Sequence, residues 1–165
     1  LGRLGRAAYA DKLVPLTIDD DPVVAHLAVK AIVSLGGADA CLAAIGTDDS
    51  QLARGALRSL RELHSEQAVS GLLDKLGTVT SPALRREVLT TLVRLYYRED
   101  QWPGDWWGTR PDTRGPYYRR GTWPQTERIE QAIVDALATA DAETATHIQE
   151  QVAKHLIKSA RLAVN

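Results

Sequence analysis

Three segments of the chain align without gaps, and each reads as one face of the same helix. They cover residues 21–35, 49–63 and 81–95, and their starts lie 28 and 32 residues apart. Apolar residues coincide in five columns: Val24, Leu52 and Leu84; Ala28, Ala56 and Val88; Val29, Leu57 and Leu89; Ile32, Leu60 and Leu92; Leu35, Leu63 and Leu95. The offsets between columns are those of a helical stripe, and a strand of period two cannot place these side chains together. A unit repeated about every 30 residues buries its apolar face against its own copies, so the feature calls for stacked helices.

Local chemistry marks where those helices begin and end. Asp21, Asp49 and Ser81 stand where a side-chain oxygen can cap the first free backbone N–H groups. Pro22 and Pro82 follow at the first helical position, where a missing N–H is harmless. Gly36 and Gly37 supply a left-handed stop after the first long helix. Shorter helices are expected over Ala10–Ile18, Ala38–Ile45 and Glu66–Leu76, with Gly46 and Gly77 ending the last two. A fourth, weaker pair fits residues 125–157. Ile129, Ile133 and Leu137 form one stripe there, Ile148, Val152 and Leu156 another, and Asp141 is the expected cap between them.

The pattern Asp-Pro-x-Val-x-x-x-Ala-Val/Leu-x-x-Leu at this period resembles HEAT and HEAT-like repeats. The resemblance implies an all-α fold, a right-handed α-α superhelix of the HEAT/armadillo-like solenoid type with about four helix pairs. Residues 1–97 would hold the repeats, 98–124 an insertion, and 125–165 the terminal pair of the same solenoid. Composition suits close helix packing: with no Phe and no Met, the core falls to Leu, Ala, Val and Ile. The formal net charge of −1 gives no general attraction to a phosphate backbone or an anionic membrane, so nucleic acid is not an expected partner. No apolar run is long enough for a transmembrane helix. The one cysteine, Cys41, allows neither an internal disulfide nor a CxxCH haem site in this segment, and its Ala/Leu surroundings read as a buried side chain. The chain opens at Leu1 in a helix-like string without Met, which reads as a segment of a longer protein.

The repeat breaks at residues 98–124. All four Trp lie there (Trp102, Trp106, Trp107 and Trp123), together with Tyr117, Tyr118, four of the seven prolines and five Arg. Large rings bury area, and disordered segments are poor in them, so an ordered loop folded back on the helices is expected. Trp, Tyr and Arg are also the residues that dominate binding hot spots. Trp102, Trp106, Trp107, Arg110, Asp112, Tyr117, Tyr118 and Trp123 are therefore the candidate partner-binding residues, and intramolecular plugging of a groove is the competing reading of the same rings.

The string Arg94-Leu95-Tyr96-Tyr97-Arg98-Glu99, followed by Trp106-Trp107-Gly108-Thr109-Arg110-Pro111-Asp112-Thr113-Arg114-Gly115-Pro116-Tyr117-Tyr118 and by Thr122-Trp123, resembles a segment in the HEAT-repeat part of large multidomain proteins of planctomycetes and related bacteria. Those proteins join a propeller-like membrane-bound dehydrogenase region, HEAT repeats and a c-type cytochrome domain. Their pattern often has His at the position of Tyr97 and Thr at that of Arg114. The resemblance implies an extracytoplasmic parent, with haem elsewhere in it and no cofactor in this segment. The partner would be a protein or a sister domain of the parent, and an accessory role in orienting the cytochrome domain is the alternative.

Sequence motifs for catalysis are missing. His26, His64, His147 and His155 each read as a solitary helix-surface or helix-end residue, with no HExxH and no His-Glu pairing of the iron-binding HEAT-repeat hydroxylases. No GxSxG, Walker or GxGxxG string occurs. The acids at Asp19, Asp20, Asp21, Asp48 and Asp49 suit helix N-termini better than a metal. Alkylpurine DNA glycosylases built on HEAT-like repeats use Trp and Asp, but the charge balance argues against the basic groove they need. Glycan stacking on the Trp and Tyr faces is a further, weaker expectation. The reading is a non-catalytic interaction module, not an enzyme.

Overall fold

A computed structural model describes residues 9–47, 49–99 and 120–162. The described residues are predominantly helical. Helix α1 (Ala10–Leu13) runs into a 3₁₀ turn over Val14–Ile18, followed by α2 (Pro22–Leu35), α3 (Ala38–Ile45), α4 (Ser50–Leu60), α5 (Glu66–Thr78) and α6 (Pro82–Arg94). A two-residue strand β1 (Arg98–Glu99) pairs antiparallel with β2 (Arg120–Gly121), and α7 (Thr126–Thr139) and α8 (Ala142–Lys154) complete the described chain.

The caps act at the positions the sequence marks. The Asp21 carboxylate accepts from the Val23 backbone N–H, Asp49 from Gln51 and Leu52, Ser81 from Leu84, and Asp141 from Thr144. Those bonds to backbone N–H and side-chain hydroxyl hold the Asp141 carboxyl below its ordinary pKa. Gly36 adopts φ +65°, with its N–H on Val33 O and that of Gly37 on Ile32 O, the two bonds of a Schellman stop.

Four of the five sequence columns are fully inside. Ala28, Ala56 and Val88, then Val29, Leu57 and Leu89, then Ile32, Leu60 and Leu92, then Leu35, Leu63 and Leu95 are all buried, and Val24, Leu52 and Leu84 are half-buried at the rim. The even-numbered helices pack in order, α2 on α4, α4 on α6 and α6 on α8, while α3 packs on α5 in a second layer. Leu, Ile, Val and Ala from both layers join one continuous core. Two glycines let neighbouring elements meet closely. A Cβ on Gly55 of α4 would lie 2.1 Å from Thr17 Oγ1, and one on Gly71 of α5 would lie 2.2 Å from Leu42 Cδ1.

Three boundaries differ from expectation. The first short helix is α only to Leu13, because Pro15 has no N–H to continue the ladder and its ring opposes the carbonyl one turn back. Helix α5 runs through Gly77 to Thr78, so that glycine lies in the last turn and does not end it. Helix α8 stops at Lys154, before its apolar stripe does. Leu156 therefore turns left-handed at φ +52° and is 69% exposed, and Ile157 packs against the core in its place.

Candidate functional site

Of the eight aromatic-insertion candidates, Trp102, Trp106, Trp107, Arg110, Asp112, Tyr117 and Tyr118 lie outside the described residues, as does the loop they belong to. Trp123 is described, and so is the base of the insertion. The antiparallel pairs Arg98–Gly121 and Glu99–Arg120 bring its two ends together. The half-buried Trp123 points its indole Nε1 at the Leu95 carbonyl, 2.8 Å away, and its backbone N–H donates to Thr126 Oγ1 at 2.9 Å. Thr126, buried at the start of α7, donates in turn to the Tyr96 carbonyl.

Tyr96 and Tyr97 meet edge to face. Tyr96 is buried and donates its hydroxyl to Glu130 Oε2 at 2.7 Å. Burial, helped by the Glu130 carboxylate, pushes the Tyr96 phenol well above its ordinary pKa. The phenol oxygen of Tyr97 accepts from the Lys158 backbone N–H. His64 stands edge-on to Trp123, ring centres 5.6 Å apart, and its Nε2 lies 2.9 Å from the Tyr97 carbonyl. A carbonyl only accepts, so Nε2 carries the hydrogen.

His64 also opens onto a cleft of about 580 Å³, which crosses α2, α4, α6 and α8. Helix α2 contributes Lys30, and α4 with the residues after it contributes Arg58, Arg61 and Glu62. Helix α6 contributes Thr90 and Arg94, β1 Glu99, and the end of α8 Gln151, Lys154 and His155. Five cations thus face two carboxylates. Lys30 pairs with Glu62 at 2.7 Å, Arg61 with Glu87 at 2.5 Å, and Arg94 with Glu99 at 2.9 Å. Arg58 and Lys154 are exposed and enter no ion pair among the described residues.

The titrating groups record this field. Burial first, and then the nearby charges of Arg94, Arg120, Lys154 and Arg61, lower the His155 pKa from 6.5 to about 4. Burial also lowers that of His64, against the opposing bond to Tyr97 and the charge of Glu99. Burial alone would raise Glu99, but the Arg94 charge and hydrogen bond outweigh it and hold the carboxyl below its usual value. At the α6 wall of the cleft, Thr90 Oγ1 donates to the Arg86 carbonyl and lies 2.8 Å from His147 Nε2, which must then be the donor between them.

The excess of cations lining the cleft suits anion binding. Of the two histidines in the cleft, His64 is fixed by a carbonyl and His155 is held neutral by burial and nearby cations. Cys41 is fully buried in the core as its surroundings suggested, and burial raises its thiol to about 12. Among the described residues no group of three or more His, Cys, Asp or Glu side chains could hold a metal. No helix among them is long and apolar enough to cross a membrane. The cleft itself escaped the sequence reading, which treated the histidines singly and weighed charge over the whole chain. One signal was available. Lys30, Arg58 and Thr90 share one position of the repeat, next to the buried Val29, Leu57 and Leu89 column, so stacking must align them.

Compared with known proteins, the chain matches no family model and no curated protein sequence.

Proposed function

We propose that the chain is a non-catalytic, HEAT-like scaffold within a larger exported protein, a right-handed solenoid that holds a partner protein or a sister domain. The observation that carries this reading is the repeat register. Equivalent columns are buried in α2, α4 and α6, and those helices pack on one another in chain order. Units stacked in this way make a stiff support with an extended lateral surface, on which interaction depends more than on any one pocket. The insertion adds to it. Its two ends are pinned by the β1–β2 pairing and by the Trp123 and Thr126 bonds, so the Trp/Tyr/Arg string starts and finishes on a fixed base beside the cleft.

A photo-crosslinking amino acid placed at Trp107 in the full-length parent tests the reading. Crosslinks that map by mass spectrometry to another domain or another polypeptide support it. Crosslinks confined to residues 9–162 of the same chain overturn it.

A further inference from the structure

Net charge near zero conceals an uneven surface. The cleft collects Lys30, Arg58, Arg61, Arg94 and Lys154 from four helices that are distant in sequence, and only Glu62 and Glu99 answer them within it. Three of these cations are already engaged, on Glu62, Glu87 and Glu99. Arg58 on α4 and Lys154 on α8 have no carboxylate among the described residues. The charge of Arg120, whose buried Nε has no hydrogen-bond partner among the described residues, is also felt by His155.

We propose that this cleft binds an extended acidic peptide segment of the partner, whose carboxylates settle on Arg58 and Lys154. The proposal rests on the interaction-module reading above and names the chemistry of what is held. The mixed lining decides for a peptide over a nucleic acid. Glu62 and Glu99 would repel a continuous phosphate backbone, whereas in a peptide they can accept main-chain N–H groups. Gln151 adds an amide that both donates and accepts, and Thr90, whose hydrogen is held by the Arg86 carbonyl, keeps acceptor capacity. A planar guanidinium at Arg58 suits bidentate contact with a carboxylate, and Lys154 offers a mobile point charge.

The spacing of the acidic residues follows from the helix rows. Packed helices lie about 8–10 Å apart, so α4 and α8, separated by α6, are roughly 16–20 Å apart. An extended chain rises about 3.3 Å per residue, which places the two carboxylates roughly six residues apart on one side of the peptide.

The test is fluorescence anisotropy with a nine-residue peptide carrying Glu at its second and eighth positions in a Gly/Ser background, labelled with a dye of no net charge. The comparison peptide has Gln at both positions. At low salt the Glu peptide should bind at least about tenfold tighter than the Gln peptide. Arg58→Gln and Lys154→Gln should each weaken it severalfold, and the double variant at least about tenfold. Both side chains are exposed, so the variants keep their helical circular dichroism, and Lys12→Gln on α1 should change nothing. Equal binding of the two peptides, or an unaffected double variant, overturns the proposal. A single-stranded oligonucleotide that binds more tightly than the Glu peptide, and loses that binding in the double variant, overturns it in favour of nucleic acid. Crosslinks from Trp107 to a partner alongside failed peptide binding would leave the scaffold reading standing and remove only this occupant.

Discussion

The indole nitrogen of Trp123 donates to the Leu95 carbonyl across 2.8 Å, joining the last ring of the insertion to the residue just past the end of α6. Leu95 is fully buried, so its carbonyl depends on that donor. Trp123→Phe keeps a ring against His64 but leaves the carbonyl unmatched, at a cost of about 1–3 kcal/mol. Equilibrium urea unfolding should show a lower midpoint with an unchanged slope. An unchanged midpoint would mean that the bond does not hold the base of the insertion.

Gly55 sets how closely α4 approaches the turn before α2. Alanine is the better helix former by about 1 kcal/mol, and an exposed site would show that gain. Here the new methyl would meet Thr17 Oγ1 at 2.1 Å and Ile18 Cγ2 at 2.8 Å, and Thr17 is itself buried and bonded to the Val14 carbonyl. Overpacking of this kind typically costs about 1–3 kcal/mol. Gly55→Ala should therefore lower the thermal midpoint by several degrees, where helix propensity alone would raise it.

The buried frame was legible because each column recurs in three helices and each start carries a cap. Val29, Leu57 and Leu89 need no structure to be placed inside. The exceptions have local causes. Leu156 keeps the apolar period but falls where the backbone turns left-handed, and hydrophobic spacing is blind to that turn. The cleft was hidden for a different reason. His64 and His155 come from α4's following loop and the end of α8, far apart in sequence, and no local motif links them. Their meeting depends on how four helices align, and summed charge averages away the cations that collect there.

Protonation of His155 opposes the fold. Its folded pKa is about 4 against 6.5 for the free side chain, because burial and the surrounding Arg94, Arg120, Lys154 and Arg61 all disfavour a further charge. Between those values the unfolded chain binds the proton that the folded chain refuses, so stability is full above about pH 6.5 and falls as pH drops toward 4. His64 pushes in the same direction. Urea midpoints at about pH 7 and pH 5, where most carboxylates remain ionised, should differ more in the parent chain than in His155→Gln. Equal slopes in the two proteins would show that His155 takes no part.

The end of α8 repeats the stop at the end of α2, but with the wrong residue. Leu156 N–H bonds to the Ala153 carbonyl and Ile157 N–H to that of Val152, the same pair of bonds that Gly36 and Gly37 make to Val33 and Ile32. Gly36 adopts φ +65° freely, whereas Leu156 at φ +52° carries a Cβ into the left-handed region, which costs a side-chain-bearing residue roughly 1–2 kcal/mol. Because Leu156 is 69% exposed, removing its side chain sacrifices little burial. The extra freedom of glycine in the unfolded chain returns up to about 1 kcal/mol of the gain. Leu156→Gly should still stabilise the protein by roughly 0.5 kcal/mol, a rise of one or two degrees in thermal midpoint, while Leu156→Ala, which keeps the Cβ, should not. If alanine stabilises as well as glycine, relief of an exposed apolar side chain is the cause, and the left-handed turn is not.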